Sequence, residues 1–514
     1  MLREEFHSYS AMRMHAPRFS TRAHALKELQ QRCNRFKSLL SSEDKLRAFI
    51  AERMLDRDAV GSPSLVSNDG TPLNWKYLLT ELHAAGIIQE PSFATRLRHN
   101  DRPLVYNFEL VPVQSAETSD GREVQYGGFG GSLDMEDAMS KSVGELLERY
   151  FLSTYKHSSL TNTSYAELTR HGHRALDPRG ANYFLDWQKK RFPQFVHDAD
   201  TYFHWVEGSE YTSGAPTYLP AQMVFWNYQP GDHGKISEEK SIIIQTTSGS
   251  AGHFTKDEAV LGALLEAIER DAFVIYWLNS LTPKIIDTTT IQNEKIQRLL
   301  AYLKRYRLEV TFVNTTSDFG VPTATCIVVD HYAKDAPVLS IGSAAGFDLE
   351  STIIPSAIEA MIINNFAGSN ETFVLPDDYQ PFTNTQIRRH ERLLSAKGKK
   401  SMERFKFLLS GPLQSAEEFI GSAATIDTKA KRLTYMLDEL EKRGTGYELY
   451  TYDAQHPILD KLGYHVVRAI VPELIPLYLV EFAAPLNMRR IREVPAKIGR
   501  EAAKEFNPWP HPFP

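Results

Sequence analysis

"DAMSKSVGELLERYF" (residues 137–151) and "EAVLGALLEAIERDAF" (residues 258–273) write Glu-x-x-Glu-Arg twice in helix-forming text, at Glu145, Glu148 and Arg149 and again at Glu266, Glu269 and Arg270. Aligned on the first glutamate the match runs backwards, with Ala138 and Ala259 each seven residues ahead. A third copy, "DLESTIIPSAIEAMIINNF" (348–366), puts Thr352 seven residues before Glu359, and its Asp348-x-Glu350 opening resembles Asp134-x-Glu136. Separations of 121 and 93 residues between the aligned glutamates are too long and too unequal for a solenoid. The pattern predicts three related strand-turn-helix units in one body.

At helical periodicity Ser142, Glu145, Glu148 and Arg149 share one arc of the first helix, opposite Met139, Val143, Leu146, Leu147 and Tyr150. Alone, that is an ordinary amphipathic helix with a solvated charged face. The second helix surrounds Glu266 and Glu269 with Val260, Leu261, Leu264, Leu265, Ile268 and Phe273, and a helix apolar all round is buried. In the third, Glu359 is the sole ionisable residue between Glu350 and Glu371. Buried carboxylates without partners take up protons or demand a cation. Arg149 and Arg270 can each neutralise one through local pairs, which is the purely structural account, but two arginines face five glutamates. Mg²⁺ accepts carboxylate oxygens and commonly arrives with nucleotide phosphates, so the excess charge favours a Mg²⁺-nucleotide site. The Gly-x-x-x-x-Gly-Lys-[Ser/Thr] phosphate loop is absent from the sequence; "GGFGGSLD" (127–134) and "SGSAGHF" (248–254) are Gly-rich turns able to bring backbone N–H groups to phosphates.

With 514 residues, 42% of them hydrophobic and 24% charged, the chain has the composition of a large globular protein. A net charge of −6 gives no overall reason to expect nucleic acid or an anionic membrane as partner. Two cysteines, Cys33 and Cys326, are too few for a disulfide framework or a Cys-rich zinc site, so a reducing compartment fits. The start lacks a signal peptide, and no run approaches the ~18 apolar residues of a membrane helix. A soluble, cytoplasmic protein is expected.

Residues 1–95 read as a small helical region, from "RAHALKELQQRCNRFKSLLSSEDKLRAFIAERML" (22–55), and residues 96–514 as an α/β or α+β body. Its strand-like runs are "LVYNFELVPV", "SIIIQTTSG", "RLEVTFVNTT", "TATCIVVDHY", "APVLSIG", "GYELYTYDAQHP" and "YHVVRAIVPELIPLYLV". "RLLSAKGKKSMERFKFLLSG" (392–411) reads as basic and helical. "RHGHR" (170–174) and His99 lack further ligands at zinc spacing and read as loop histidines. Cys326, in an apolar run, reads as a buried thiol.

These motifs resemble the YcaO-domain family and, within it, the azoline-forming cyclodehydratases of thiazole/oxazole-modified peptide biosynthesis. "SVGELLERY" is similar to the family's Ser-x-x-Glu-x-x-Glu-Arg motif, and "TTSGSAGHFTKDEAVLGALLEAIERDAF" to its Thr-Ser-Asn-Gly-led second motif. The ending "NPWPHPFP" (507–514) is similar to the Pro-x-Pro-x-Pro terminus of the cyclodehydratases. The resemblance implies a YcaO-like ATP-binding fold, with Glu145, Glu148, Glu266 and Glu269 as Mg²⁺ ligands and Ser142, Arg149, Arg270 and Glu359 around ATP. Departures stand at Ile362 and Asn364, where the family's third motif has Gln and Arg, and at Ser248 and His253, where Asn and Gly are usual.

The implied reaction is attack of a Cys, Ser or Thr side chain on the preceding amide of a ribosomal precursor peptide, with ATP phosphorylating the amide oxygen before it leaves. The α-carboxylate of Pro514 is implied as the catalytic group, carried into the site by a tail whose alternating prolines leave little entropy to lose. Implied partners are a leader-binding protein similar to ubiquitin-activating enzymes and an FMN-dependent azoline dehydrogenase; a homodimer is compatible. Thioamide or amidine formation on the same fold, and a noncatalytic peptide-binding subunit, stay open as alternatives.

Overall fold

The computed structural model describes residues 75–94, 106–113, 127–226, 228, 239–244, 246–333, 336–367, 373–375, 377–383 and 389–513. The helices expected within residues 22–55 lie outside that set, as does Pro514. The architecture is a mixed helix and sheet fold, and its sheets are built almost entirely from antiparallel neighbours. A two-stranded ribbon pairs β1 (Tyr106–Leu110) with β2 (Gly128–Ser132). One sheet contains β3 (Thr161–Ser164), β4 (Tyr202–Glu210), β5 (Pro216–Pro220) and β6 (Ser250–His253), with β12 (Tyr450–Asp453) and β13 (His465–Ile470) returning from late in the chain. Its order is β3-β4-β12-β13-β6, and β5 also pairs with β4. The other sheet takes β7 (Lys284–Asp287), β8 (Glu309–Asn314), β9 (Thr323–Asp330), β10 (Val338–Ala345) and β11 (Leu413–Ser415) in the order β10-β9-β8-β7-β11, with β11 parallel to β7.

The expected three units are present. β2 leads into a helix at Met135–Ser153, β6 into one at Lys256–Leu278 and β10 into one at Leu349–Ala367. The short helix Trp75–Ala84 is named α1, so these three are α2, α3 and α4. A capping side chain opens each of the three: Asp134 accepts from Asp137 N, Thr255 from Glu258 N and Asp348 from Ser351 N. Each cap stands eleven residues before the aligned glutamate, as a repeated unit requires.

A glycine also recurs seventeen residues before each of those glutamates, as Gly128, Gly249 and Gly342. In the first and third units its reason is a close approach of strand and helix. A Cβ on Gly342 would lie 2.3 Å from Ser356 O and 2.4 Å from Ala360 N; on Gly128 it would lie 2.0 Å from Ser142 O and 2.4 Å from Leu146 N. Both obstacles are helix backbone, so α4 would have to move to admit one methyl group. Gly342→Ala is expected to destabilise the protein by about 3 kcal/mol, seen as a lower denaturant midpoint; an unchanged midpoint would contradict this packing.

β9 is buried at every position, and burial pushes the Cys326 thiol well above its ordinary range, in line with a structural thiol. α1 contributes Leu78, Leu79 and Leu82 to the same buried cluster as Leu146, Leu147 and Tyr150 of α2. Two strand expectations need correction. Among its described residues "SIIIQTTSG" forms no strand; Ser241 N donates to Gln194 O and Ile242 N to the Gln222 side chain, so ladder partners are replaced. In "YHVVRAIVPELIPLYLV" the ladder ends at Ile470, ahead of Pro472 and Pro476, which have no N–H to give. Among the described residues no helix is long and apolar enough to cross a membrane.

Candidate active site

Each unit turns its first glutamate back onto its own strand, sixteen residues upstream. Phe129 N donates to Glu145 Oε2 (2.5 Å), Ser250 N to Glu266 Oε2 (3.4 Å) and Ser343 N to Glu359 Oε2 (3.0 Å), with Gly249 N adding a second bond to Glu266 at 3.0 Å. The other carboxylate oxygen of each meets an arginine. Arg149 Nη2 lies 2.6 Å from Glu145 Oε1, while Arg270 Nη2 lies 3.4 Å from Glu266 Oε1 and 3.8 Å from Glu359 Oε1. Arg270 Nε is also 3.5 Å from Glu269 Oε1, so one guanidinium gathers carboxylates from α3 and α4.

The second glutamates are less well served. Glu269 Oε1 is buried without a hydrogen-bond partner. Burial pushes the Glu269 carboxyl well above the usual carboxylate range and Glu359 and Glu266 push the same way, against the pull of Arg270. Glu148 is raised similarly, by burial and then by Glu266 and Glu145. Burial opposes the charge of Arg270, but Glu269, Glu359 and Glu266 outweigh it and hold the guanidinium protonated.

One cation escaped the sequence argument. Arg468 of β13 is buried, donates from Nη1 to Ser250 Oγ (2.9 Å) and from Nε to Met223 O (3.1 Å), and its charge is felt at both Glu148 and Glu266. It is the lone charge in "VVRAIV", the same signal that singled out Glu359. With it, three arginines face five glutamates, and an excess of negative charge remains. Among the described residues no three His, Cys, Asp or Glu side chains are gathered closely enough to hold a metal ion. The donor set nevertheless fits a hard divalent cation with a phosphate chain: carboxylates in excess, an orphaned buried Glu269 oxygen, and guanidiniums beside them. It is also reachable, since the side chains of Glu145, Glu266 and Glu359 keep 28%, 24% and 29% exposure.

Ser142 is fully buried and spends its hydroxyl on Gly128 O (2.9 Å), joining α2 to β2. Of the departing positions, Ile362 is 38% exposed where the first two units place Glu148 and Glu269, whereas Asn364 is buried. His253 pairs with Glu258 Oε2 at 2.6 Å. The C-terminal tail reaches the cluster: the Phe513 ring is fully buried, packs on Phe273 (4.5 Å between centroids) and lies 4.3 Å from the Arg270 guanidinium carbon.

Three capped strand-helix units thus bring five glutamates, paired in the first two units and single in the third, into one site with their arginines. Residues 129–475 match the family described as YcaO cyclodehydratase, ATP- and Mg²⁺-binding, and the chain belongs to that family. An uncharacterised protein of Methanothermobacter thermautotrophicus is 29% identical over 163 residues, covering 32% of this chain and 41% of the relative. Another, encoded in the tfuA 3' region of Rhizobium leguminosarum bv. trifolii, is 25% identical over 134 residues, covering 26% of this chain and 30% of the relative. The chain thus spans well under half the length of these curated relatives. In fold it is similar to a heterocyclase in complex with substrate and cofactor (TM-score 0.65, 19% identity, 89% of this chain and 59% of that one). It is also similar to YcaO from Methanopyrus kandleri bound with AMPPCP and Mg²⁺ (TM-score 0.52, 15% identity, 78% and 92%) and to the heterocyclase TruD (TM-score 0.55, 15% identity, 100% and 70%).

Proposed function

We propose that this protein is an ATP- and Mg²⁺-dependent cyclodehydratase that converts Cys, Ser or Thr residues of a ribosomal precursor peptide to thiazoline or oxazoline rings. The observation that carries the proposal is the contact of Phe513 with Arg270, which brings a proline-rich chain end to a glutamate-arginine cluster suited to a nucleotide. ATP with Mg²⁺ would supply the phosphoryl group that turns an amide oxygen into a leaving group. Glu145, Glu148, Glu266 and Glu269 would hold the metal, and Arg149 and Arg270 would offset charge on the phosphates. Ser142 would support that wall from beneath, and Glu359 would orient Arg270. The α-carboxylate of Pro514 would hold or remove the proton of the reacting amide.

A heterocyclase seen with substrate and cofactor, and the E. coli microcin synthetase McbBCD complex with pro-MccB17 bound, to which the chain is similar in fold (TM-score 0.50, 15% identity, 82% of this chain and 96% of that one), support a peptide substrate and work alongside partner proteins. A leader-binding protein and an FMN-dependent dehydrogenase are the partners proposed for this chain. Ile362 and Asn364 favour one second reading, a peptide-binding subunit that keeps the fold without turnover. Incubation with ATP, Mg²⁺ and the peptide encoded beside this gene separates the readings: loss of one water per ring supports cyclodehydration, exchange of oxygen for sulfur indicates thioamide formation, and an unmodified peptide with no ATP consumed supports the noncatalytic subunit.

A further inference from the structure

Upstream of Phe513 the tail is gripped at successive points. Tyr379 Oη donates to Pro508 O (2.8 Å), the Tyr379 and Trp509 rings stack at 6.2 Å, Arg404 lies 4.0 Å over the Trp509 ring, and Trp277 Nε1 donates to Trp509 O (3.1 Å). At His511, whose ring packs edge-on against Tyr478 (4.6 Å) and Phe273 (5.8 Å), buried charged groups join the aromatic ones. His511, Arg392 and Glu481 have no solvent exposure. Arg392 Nη1 donates to Tyr478 O (2.8 Å) and lies 2.7 Å from His511 Nε2, while Glu481 Oε1 lies 3.9 Å from the same Arg392 nitrogen.

Packing does not account for this group, because apolar side chains of similar volume fill a buried space at lower cost than an ion pair. Both Glu481 oxygens lack a hydrogen-bond partner, so its contribution is its position beside Arg392. Burial, then Arg392, holds His511 well below the ordinary imidazole range. The ring is therefore neutral; Nε2 also lies 2.8 Å from Tyr478 O, and it is the tautomer protonated at Nδ1 that leaves Nε2 to accept the Arg392 N–H.

We propose that Arg392, oriented by Glu481, is a positioning residue that pins the tail at His511 and so sets how far its terminal carboxylate reaches. The inference rests on the tail's role in the proposed reaction. Pro510 and Pro512 alternate with Trp509, His511 and Phe513, so a slip by two residues would preserve the proline pattern. A polyproline-like chain advances ~3.1 Å per residue, and such a slip would misplace the chain end by ~6 Å. Among the three intervening side chains only His511 accepts a hydrogen bond; indole is a donor only, and the Phe ring offers no lone pair. Arg392 therefore rejects the slipped registers, which aromatic packing alone would tolerate.

The test uses the full chain with Arg392→Met, Arg392→Lys, His511→Phe and His511→Gln, reading hydrogen–deuterium exchange over residues 501–514, kcat for peptide modification and KM for ATP. Arg392→Met and His511→Phe should raise exchange in the tail and lower kcat about a hundredfold with KM for ATP within about twofold. Arg392→Lys, still a donor, and His511→Gln, still an acceptor, should recover part of the loss. Should Arg392→Met fail to fold, His511→Phe breaks the same contact from the tail. Unchanged tail protection and kcat in both breaking variants would overturn the pin. A released tail with undiminished modification would uphold the pin and overturn the role given to the tail.

Discussion

Glu269→Gln is expected to reduce ATP turnover about a hundredfold or more while leaving the fold as stable as before. The carboxyl is buried, has an oxygen without a hydrogen bond, and stands beside Glu266 and Glu359, so ionising it in the ligand-free protein is unfavourable. Gln keeps its shape and removes that repulsion, but it cannot supply the charge that a divalent cation needs. Glu148→Gln should behave alike, since burial, Glu266 and Glu145 act on it in the same sense. Glu145→Gln and Glu266→Gln should also abolish turnover, with less relief, because each already has an arginine and a strand N–H. Steady-state ATP hydrolysis beside a denaturant melt reads both effects. Turnover near wild type in any one variant removes that residue from the metal site.

Deleting Phe513 and Pro514, or appending a C-terminal tag, is expected to lower peptide modification at least about a hundredfold while ATP binding persists. Deletion takes away the ring over Arg270 and leaves the α-carboxylate on Pro512, two residues short; a tag leaves the ring but converts the Pro514 carboxylate to an amide. A group placed by chain length tolerates neither change. The glutamate cluster comes from three helices and their strands, so nucleotide affinity, followed by calorimetry with a non-hydrolysable analogue, should stay within about threefold. A tagged protein that modifies its peptide at the untagged rate would exclude the terminal carboxylate from the chemistry.

The units were legible in the sequence because Glu-x-x-Glu-Arg and the residue seven places ahead of it recur together, and because Glu359 is isolated in an apolar run. What escaped was what sequence neighbours could not supply. Arg468 arrives from a strand about two hundred residues beyond α3, and only the sheet order β13-β6 sets it beneath Glu148 and Glu266. Arg392 was hidden for the opposite reason, since it opens a segment dense in Lys and Arg, where one more cation reads as another surface charge. Its helix, Arg389–Leu394, nevertheless buries it completely against the tail. The recurring glycines were visible as letters, but their purpose needs the helix backbone that lies over Gly128 and Gly342. The run at 241–249 shows β-branched residues wrongly read as paired: Ile242 is buried and Ile243 and Ile244 half-buried, but Gln222 supplies the bond a neighbouring strand would have given.

The central claim is that ATP activates a peptide amide by accepting its oxygen, and the fate of that oxygen tests it directly. A precursor peptide whose backbone amide oxygens carry heavy oxygen would be incubated with the protein, ATP and Mg²⁺, and the released phosphate examined by mass spectrometry. The account predicts one labelled oxygen in phosphate for each ring formed; rings formed with unlabelled phosphate would contradict it.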